Sequence, residues 1–259
     1  EFITSAYKLE VGHPPGAPFF MLVGNFFTQL AKDPSQVAMM VNIMSALMSA
    51  FTILFLFWTI THLTRKLLQK SSDVVLNAGQ TTAVIGSGIV GALVYTFSDT
   101  FWFSAVEGEV YAFSSMLTAL VFWLILKWED NADKPHSDKW LVLIAYVMGL
   151  SIGVHLLNLL CIPAIVLVYY FKKNEKANWK GALKALLVSF GLIIILMWGV
   201  IPGFTKIGGW FELLFVNSFG LPYNSGVLFY LLILVGAITM GLYYTISSSS
   251  NERNARIAF

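Results

Sequence analysis

Charged residues are scarce in this chain of 259 residues, and cysteine is almost missing. Only 12% of the residues are Asp, Glu, Lys or Arg, whereas an ordinary soluble domain carries about a quarter. Because Cys161 is the single cysteine, an intrachain disulfide is excluded. The formal net charge of +2 is too small to indicate a nucleic-acid partner, and none is expected.

The familiar motifs of soluble enzymes are also missing. The sequence has no phosphate-binding glycine loop, no zinc-binding HExxH helix and no nucleophile elbow. Neither an initiator methionine nor a signal peptide stands at Glu1, so we expect the natural N-terminus to lie upstream. The polar segments between apolar runs are therefore the places where chemistry could reside.

The chain contains long apolar runs, and 57% of its residues are hydrophobic and 15% aromatic. About 20 apolar residues cross a bilayer, and runs of this kind predict spans at residues 37–62, 78–97, 111–128, 183–201 and 227–246. Residues 141–170 are too long for one helix, so we interpret them as two shorter helices that meet near His155 and Asn158. The fold class is an all-α polytopic membrane protein with about six spans.

The same pattern divides the chain into three parts. Residues 1–36 form an outer loop with an interfacial helix at 18–31, residues 37–246 form the transmembrane bundle, and residues 247–259 form a cytoplasmic connector. Basic clusters at 65–70, 127–139, 172–184 and 253–256 belong to the cytoplasm by the positive-inside rule. Residues 1–32, the segment 98–110, the turn near His155 and a predicted loop at 202–226 then face the other side.

The outer segment 98–110 brings acidic residues next to the membrane boundary. Carboxylates there cost free energy unless they are solvated or paired, which makes Glu107 and Glu109 functional candidates. They would point the same way in an extended segment and about 200° apart in a helix. The alternative is a solvated loop with an aromatic belt.

Three further polar residues have both a functional and a structural interpretation. His155 and Asn158 share a helix face at i,i+3 spacing, and either bind substrate or join helices by hydrogen bonds. His13 precedes Pro14 and Pro15, and either serves a site or belongs to a rigid turn before the interfacial helix. Because these residues gather on one face with the acidic segment, they indicate an enzyme that deprotonates a hydroxyl and holds a phosphate.

Two stretches of the chain resemble GT-C type membrane glycosyltransferases: EFITSAYKLEVGHPPGAPFFMLVG and FWFSAVEGEVYAFSSMLTALVFWLILKWE. Over nearly the whole chain, the sequence resembles a bacterial family long classed as a domain of unknown function. That family is similar to the protein O-mannosyltransferases and to the human plexin O-mannosyltransferase. The resemblance implies a GT-C-like helical bundle in the bacterial inner (cytoplasmic) membrane, with its active site facing the periplasm.

The resemblance also implies substrates and residue roles. A mannose-like sugar would pass from a polyprenyl-phosphate donor to a hydroxyl of an exported protein or of a glycan. Glu1 would end an acidic motif whose aspartate, the leading general base, lies upstream with the first span. At matching positions the resemblance implies roles for Glu1, His13, Glu109 and Tyr111.

The residues singled out by their own pattern complete the expected site. The expected catalytic set is Glu1, Glu107 and Glu109, and the expected substrate-binding residues are Lys8, His13, Tyr111, His155 and Asn158.

The cation that holds the donor phosphate is left open by the resemblance. All three arginines fall in the predicted cytoplasmic clusters, so Lys8, His13, Lys206 or a divalent metal ion takes that role, or the residue that does so lies outside this sequence. Two other classes of function also stay open. A transporter or lipid flippase would need polar residues near the bilayer midplane and inverted repeats, and the chain shows neither clearly. A non-catalytic membrane subunit would need no clustered outer carboxylates.

Overall fold

The computed structural model describes residues 1–13, 16–69 and 75–246, and these ranges are helical with no β-strand. This confirms the all-α fold class. Within them, six helical stretches are long and apolar enough to cross a membrane: Pro34–Leu68, Ala78–Thr96, Val110–Asn131, Leu156–Lys173, Trp179–Ser218 and Ser225–Tyr244. The Pro14 and Pro15 pair, Lys70 and the predicted connector 247–259 lie outside the described residues.

The helices carry the following labels in chain order: α1 Phe2–Lys8, α2 Pro18–Thr28, α3 Val37–Leu68, α4 Ala78–Thr96, α5 Asp99–Val106, α6 Val110–Asn131, α7 Lys139–Ile152, α8 Ile162–Lys173, α9 Trp179–Ile194, α10 Ile201–Leu213 and α11 Ser225–Ile246. Short 3-10 segments at Pro34–Gln36 and Leu156–Cys161 precede α3 and α8. Turns of π-helix at Ile195–Val200 and Leu214–Ser218 flank α10.

The chain forms two compact units. The first unit comprises residues 1–133 and 143–161, and it contains α1 to α6, most of α7 and the second 3-10 segment. The second unit comprises residues 134–142 and the chain from Ile162 onward. Residues 141–170 are indeed interrupted between α7 and α8, and the predicted meeting point near His155 and Asn158 belongs to the first unit.

Helix α3 is central to the first unit and packs against α4 and α6. Glycines allow α4 to approach closely, since an added Cβ at Gly88 would lie 2.5 Å from the Thr61 side chain and one at Gly91 2.5 Å from Ile60. Such small residues let membrane helices gain van der Waals contact, which drives their association in lipid. The α6 side of the core includes the fully buried Trp128.

The residues before α3 form a small hairpin of α1 and α2. Pro18 opens α2, where its missing N–H costs no hydrogen bond. The Asn25 amide donates to the carbonyls of Ala6 and Tyr7 at 2.9 and 3.1 Å, which satisfies the C-terminal end of α1. Helix α2 has 11 residues, too few to cross a bilayer.

Two segments predicted as loops are largely helical, and these predictions are wrong. Residues 98–110 contain α5, which leaves only the residues from Glu107 to Glu109 extended between α5 and α6. Residues 202–226 contain most of α10 and a π-turn. Pro202 lies inside the continuous helical stretch Trp179–Ser218, directly after the π-turn Ile195–Val200, and such a local π adjustment accommodates a proline within a membrane helix. Backbone in apolar surroundings must satisfy its own hydrogen bonds, which favours helix over loop.

Side-chain hydrogen bonds stabilise the starts of two helices in the second unit. Asn178 Oδ1 accepts the Gly181 N–H at 3.0 Å and so caps α9. Glu212 on α10 accepts the N–H groups of Asn224 and Val227 at 2.6 and 3.0 Å. The Glu212 carboxylate therefore supports the start of α11.

Candidate functional site

The start of the chain folds back on itself through Glu1 and His13. Glu1 Oε1 accepts the backbone N–H of His13 at 2.7 Å and lies 2.9 Å from its ring nitrogen Nδ1. The Phe2 ring packs edge-on against the imidazole, with ring centroids 5.4 Å apart. The hydrogen bond from the His13 backbone, followed by the one from its ring, holds the pKa of the Glu1 carboxyl below its usual range.

The first turn of α2 contacts the turn of chain that directly follows α7. The N–H groups of Phe19 and Phe20 donate to the carbonyl oxygen of Gly153 at 2.7 and 3.2 Å. First-turn N–H groups have no partner inside their own helix, so an outside acceptor is needed. An added Cβ at Gly153 would lie only 2.9 Å from Cβ of Phe19. A glycine at this position thus brings the α1–α2 hairpin beside His155.

The turn after Gly153 places His155 against the start of α6. Its Nδ1 accepts the backbone N–H of Leu157 at 3.1 Å, so Nε2 carries the ring hydrogen in this arrangement. The Tyr111 ring packs against the imidazole with centroids 5.5 Å apart. His155 is therefore oriented from two sides and can donate a hydrogen bond through Nε2.

A cavity of about 230 Å³ lies where these elements meet. Its polar lining consists of His13, Glu109, Tyr111 and His155. Glu109 is the N-cap residue of α6, yet within the described residues its carboxylate makes no capping hydrogen bond. Histidines from two distant segments and a carboxylate from a third therefore line one small space. We call it the histidine cavity.

Electrostatics distinguish Glu109 from the other acidic residues. Burial raises the pKa of the Glu109 carboxyl above its usual range, and the Glu107 carboxylate nearby raises it further. A carboxylate whose pKa lies above the ordinary value is a better proton acceptor. Glu109 thus has the location and the basicity of a general base.

A second cavity, of about 750 Å³, adjoins the first at Tyr111. It is lined by Asp99, Glu107 and the rings of Phe101 and Phe103, and we call it the acidic cavity. Glu107 and Glu109 flank Gly108 in extended backbone, but they line different cavities. The sequence left open whether both carboxylates face one site, and the structure separates them.

The remaining predicted site residues do not line the histidine cavity. Lys8 is exposed and lies 3.8 Å from the Glu10 carboxylate. Asn158 is fully buried, and among the described residues neither its Oδ1 nor its Nδ2 has a hydrogen-bond partner. Glu1 reaches the cavity only through His13. Lys206 belongs to α10 in the second unit.

Gly153 is the site residue that sequence reasoning missed. The available signal is a glycine two residues before a histidine within an apolar run. The expectation of a divalent metal stays a prediction. In the ranges 1–13, 16–69 and 75–246, no three His, Cys, Asp or Glu side chains lie close enough together to hold one metal ion, and the three that line the histidine cavity do not form such a group.

Comparison with known proteins gives matches over the part of the chain that carries the site. A family described as the Protein O-mannosyl-transferase TMEM260 N-terminal domain matches residues 1–178. Protein O-mannosyl-transferase TMEM260 of Mus musculus is 29% identical over 178 residues, which cover 68% of this chain and 23% of that protein. The protein of the same name in Dictyostelium discoideum is 22% identical over 183 residues, covering 66% and 19%.

These matches confirm the expected O-mannosyltransferase-like family over residues 1–178. The bacterial affiliation and the resemblance beyond that range stay predictions. The chain spans less than a quarter of the length of these curated relatives. No solved structure matches it. Both cavities lie within the matched residues.

Proposed function

The chain belongs to the Protein O-mannosyl-transferase TMEM260 N-terminal domain family, and from that premise we propose that it takes part in sugar transfer. The donor is a mannose-like sugar on a polyprenyl phosphate, and the acceptor is a Ser or Thr hydroxyl of an exported protein. The observation that carries this proposal is the histidine cavity, where a basic carboxylate and two imidazoles face one space.

Glu109 is the general base in this proposal. The acceptor oxygen attacks the anomeric carbon of the sugar, and its proton passes to the Glu109 carboxylate. The new carbon–oxygen bond forms as the bond from the anomeric carbon to the phosphate oxygen breaks, and that electron pair leaves with the lipid phosphate. The raised pKa of Glu109 supports this role, because it increases the affinity of the carboxylate for the proton.

His13 and His155 hold the donor phosphate. Both line the cavity, and each has its Nδ1 engaged, by Glu1 in one case and by the Leu157 N–H in the other. His155 can therefore offer Nε2–H to a phosphate oxygen, whereas His13 donates its Nδ1–H to Glu1 and offers Nε2–H as well only as an imidazolium, which is the form that the proposal requires. These donors stabilise the charge that develops on the leaving group. Glu1 is then a positioning residue for His13.

We place the reaction on the non-cytoplasmic face, which in a bacterial cell is the periplasmic face of the inner membrane. The histidine cavity lies at the first residues of α6. Lys66 and Arg65 lie in the last turn of α3, and Lys66 contacts Glu129 near the end of α6 at 2.6 Å. The basic ends of these helices are thus opposite to the cavity, as the positive-inside rule requires of an outward-facing site.

The test is Glu109→Gln in the full chain, assayed for sugar transfer from a polyprenyl-phosphate mannose to a Ser- or Thr-containing peptide. Loss of a general base lowers the rate by roughly 10²–10⁴-fold. Glu10→Gln removes an exposed carboxylate outside the cavity and serves as the matched control. Full transfer by the Glu109→Gln protein, at normal expression, would overturn the assignment.

A further inference from the structure

The largest cluster of positive charge in the chain lies between α8 and α9, and the proposed reaction does not use it. Residues 172–184 contain five lysines and one acidic residue, Glu175, which gives this segment a net charge of +4. By contrast, residues 127–139 contain three lysines and four carboxylates. The positive-inside rule counts basic residues alone, so it does not account for this difference in net charge. We call residues 172–184 the basic turn.

Hydrogen bonds fix the backbone of the basic turn. The Tyr170 hydroxyl donates to the carbonyl of Asn178 at 3.3 Å and accepts the backbone N–H of the same residue at 3.1 Å. The Asn174 amide donates to the Tyr170 carbonyl at 2.8 Å. An added Cβ at Gly181 would overlap the Tyr170 hydroxyl, so this glycine lets the first turn of α9 approach α8 closely. The lysines on both sides of the turn are therefore held at one end of the packed pair α8 and α9.

Three exposed lysines carry the unbalanced charge of the basic turn. Lys176 lies in the turn itself, and Lys180 and Lys184 lie four residues apart on one face of α9. All three are exposed, and within the described residues none of them forms an ion pair. Their ammonium groups are thus available to an anion from outside the chain.

Exposed aromatic rings place the basic turn at a membrane surface. The turn separates two helical stretches that are long and apolar enough to cross a membrane, Leu156–Lys173 and Trp179–Ser218. Trp179 is 72% exposed and Phe171 is 56% exposed, and aromatic rings at the ends of spans lie at the level of the lipid headgroups. The Lys180 ammonium lies 5.8 Å from the centroid of the Trp179 ring. Positive charge and aromatic surface therefore meet at the same depth.

We infer that the basic turn binds the headgroups of anionic phospholipids. Lysines clustered beside a membrane-spanning helix attract anionic headgroups over about one Debye length. Lys180 and Lys184 can lay their hydrocarbon stems along α9 and extend their ammonium groups to the headgroup phosphates. Headgroups are concentrated at the boundary where the two apolar stretches end, which favours a lipid over a soluble anion as the ligand. This inference does not depend on sugar transfer.

The first experiment measures lysine reactivity in two bilayers. The full chain is reconstituted in nanodiscs of phosphatidylcholine, or of an equal mixture of phosphatidylcholine and phosphatidylglycerol, and the acetylation rate of each lysine is followed by mass spectrometry. We expect Lys176, Lys180 and Lys184 to react about fivefold more slowly in the mixture, with the rate restored at high salt. Lys139 is exposed and follows Asp138, so its rate should change by less than about twofold.

The second experiment compares matched variants by the lipids that they retain. Lys180→Gln/Lys184→Gln removes two charges from the basic turn, and Lys134→Gln/Lys139→Gln removes two charges from the segment between α6 and α7. Native mass spectrometry of the full chain counts the phosphatidylglycerol and phosphatidylcholine molecules that stay bound. We expect the preference for phosphatidylglycerol to fall at least about fivefold in the first variant. The control variant and Lys180→Arg/Lys184→Arg should keep the wild-type preference.

Three results would overturn the inference. Equal slowing of Lys139 in the mixed bilayer would show that the general charge of the membrane surface, and not binding at the basic turn, protects the lysines. Undiminished preference for phosphatidylglycerol in Lys180→Gln/Lys184→Gln would place the bound lipid elsewhere on the chain. Competition by inorganic phosphate or by single-stranded RNA would assign the basic turn to a soluble anion instead of a headgroup.

Discussion

Glu1 and His13 are twelve residues apart, and one carboxylate oxygen of Glu1 engages both the backbone N–H and the ring Nδ1 of His13. This double contact closes the loop that precedes α2 and leaves the imidazole at the histidine cavity. Phe2 lies against the same imidazole and also against Phe20, with ring centroids 5.5 Å apart. The position of His13 therefore depends on residues from both α1 and α2.

The first prediction concerns the pH dependence of this loop. The lowered pKa of Glu1 means that the carboxylate's contribution to the closed loop is present above the ordinary glutamate range of about 4.3 and is lost as the pH falls through the lowered value. The protection of residues 1–13 against hydrogen exchange, relative to the intrinsic exchange rate at each pH, should thus fall only in strong acid. In Glu1→Gln the loop should exchange faster at neutral pH. Glu10→Gln, which alters an exposed pair with Lys8, should match the wild type.

The second prediction uses the effect of Glu107 on Glu109. Because the Glu107 charge helps to raise the pKa of Glu109, Glu107→Gln should lower that pKa. A general base acts above its pKa, so the acid limb of the kcat/KM profile should move to lower pH. The same change should relieve part of the cost of ionising Glu109, which is incurred as the pH rises through the raised pKa.

Asp99→Asn is the matched control for that measurement. Asp99 lines the acidic cavity with Glu107, but it is not among the groups that shift the pKa of Glu109. The acid limb of the kcat/KM profile of Asp99→Asn should lie at the same pH as that of the wild type. Identical profiles for Glu107→Gln and the wild type would show that Glu109 is not the group that titrates.

The spans were predictable because their signal is local. An apolar run of bilayer length with basic residues at one end is visible in the sequence alone, as in α3 with Arg65 and Lys66. The segment 202–226 was wrongly predicted as a loop because Pro202 and its neighbouring glycines are typical of loops. Their helical state depends on surroundings in which unpaired backbone is costly, and composition does not report this.

The candidate site was predictable in part, for a related reason. Residue type and predicted topology were enough to propose His13, Glu109 and His155, which the structure brings to one cavity. Lys8 and Asn158 had the same kind of polar side chain on the same face. Their tertiary surroundings exclude them from the histidine cavity: Lys8 lies beside Glu10, and Asn158 is buried within the fold.

The third prediction concerns the contact between the start of α2 and Gly153. Gly153→Ala places a methyl group 2.9 Å from Cβ of Phe19 and 3.3 Å from its backbone nitrogen, so the start of α2 must shift. Such overpacking costs about 1–3 kcal/mol. We expect a lower Tm and a kcat/KM reduced about tenfold, since small misplacements at a site are costly.

Gly149→Ala, within α7 and four residues before Gly153, is the control for Gly153→Ala. An added Cβ at Gly149 meets no heavy atom within 4 Å, and Ala is favoured over Gly in a helix by about 1 kcal/mol. Its Tm should rise or stay constant, with activity retained. Similar losses in both variants would mean that the contact with Phe19 is not the cause.

The last prediction separates Asn158 from His155, which lie close in sequence but in different surroundings. Asn158 is fully buried, and within the described part of the chain its amide atoms have no hydrogen-bond partner. An unsatisfied buried polar group costs about 1–3 kcal/mol, so Asn158→Leu, of similar volume, should raise Tm and leave kcat/KM within about twofold. His155→Leu removes a side chain from the histidine cavity and should lower kcat/KM at least about tenfold. If Asn158→Leu is stable but inactive, then Asn158 contacts substrate as its spacing with His155 suggested, and the buried position marks a site that opens when the donor binds.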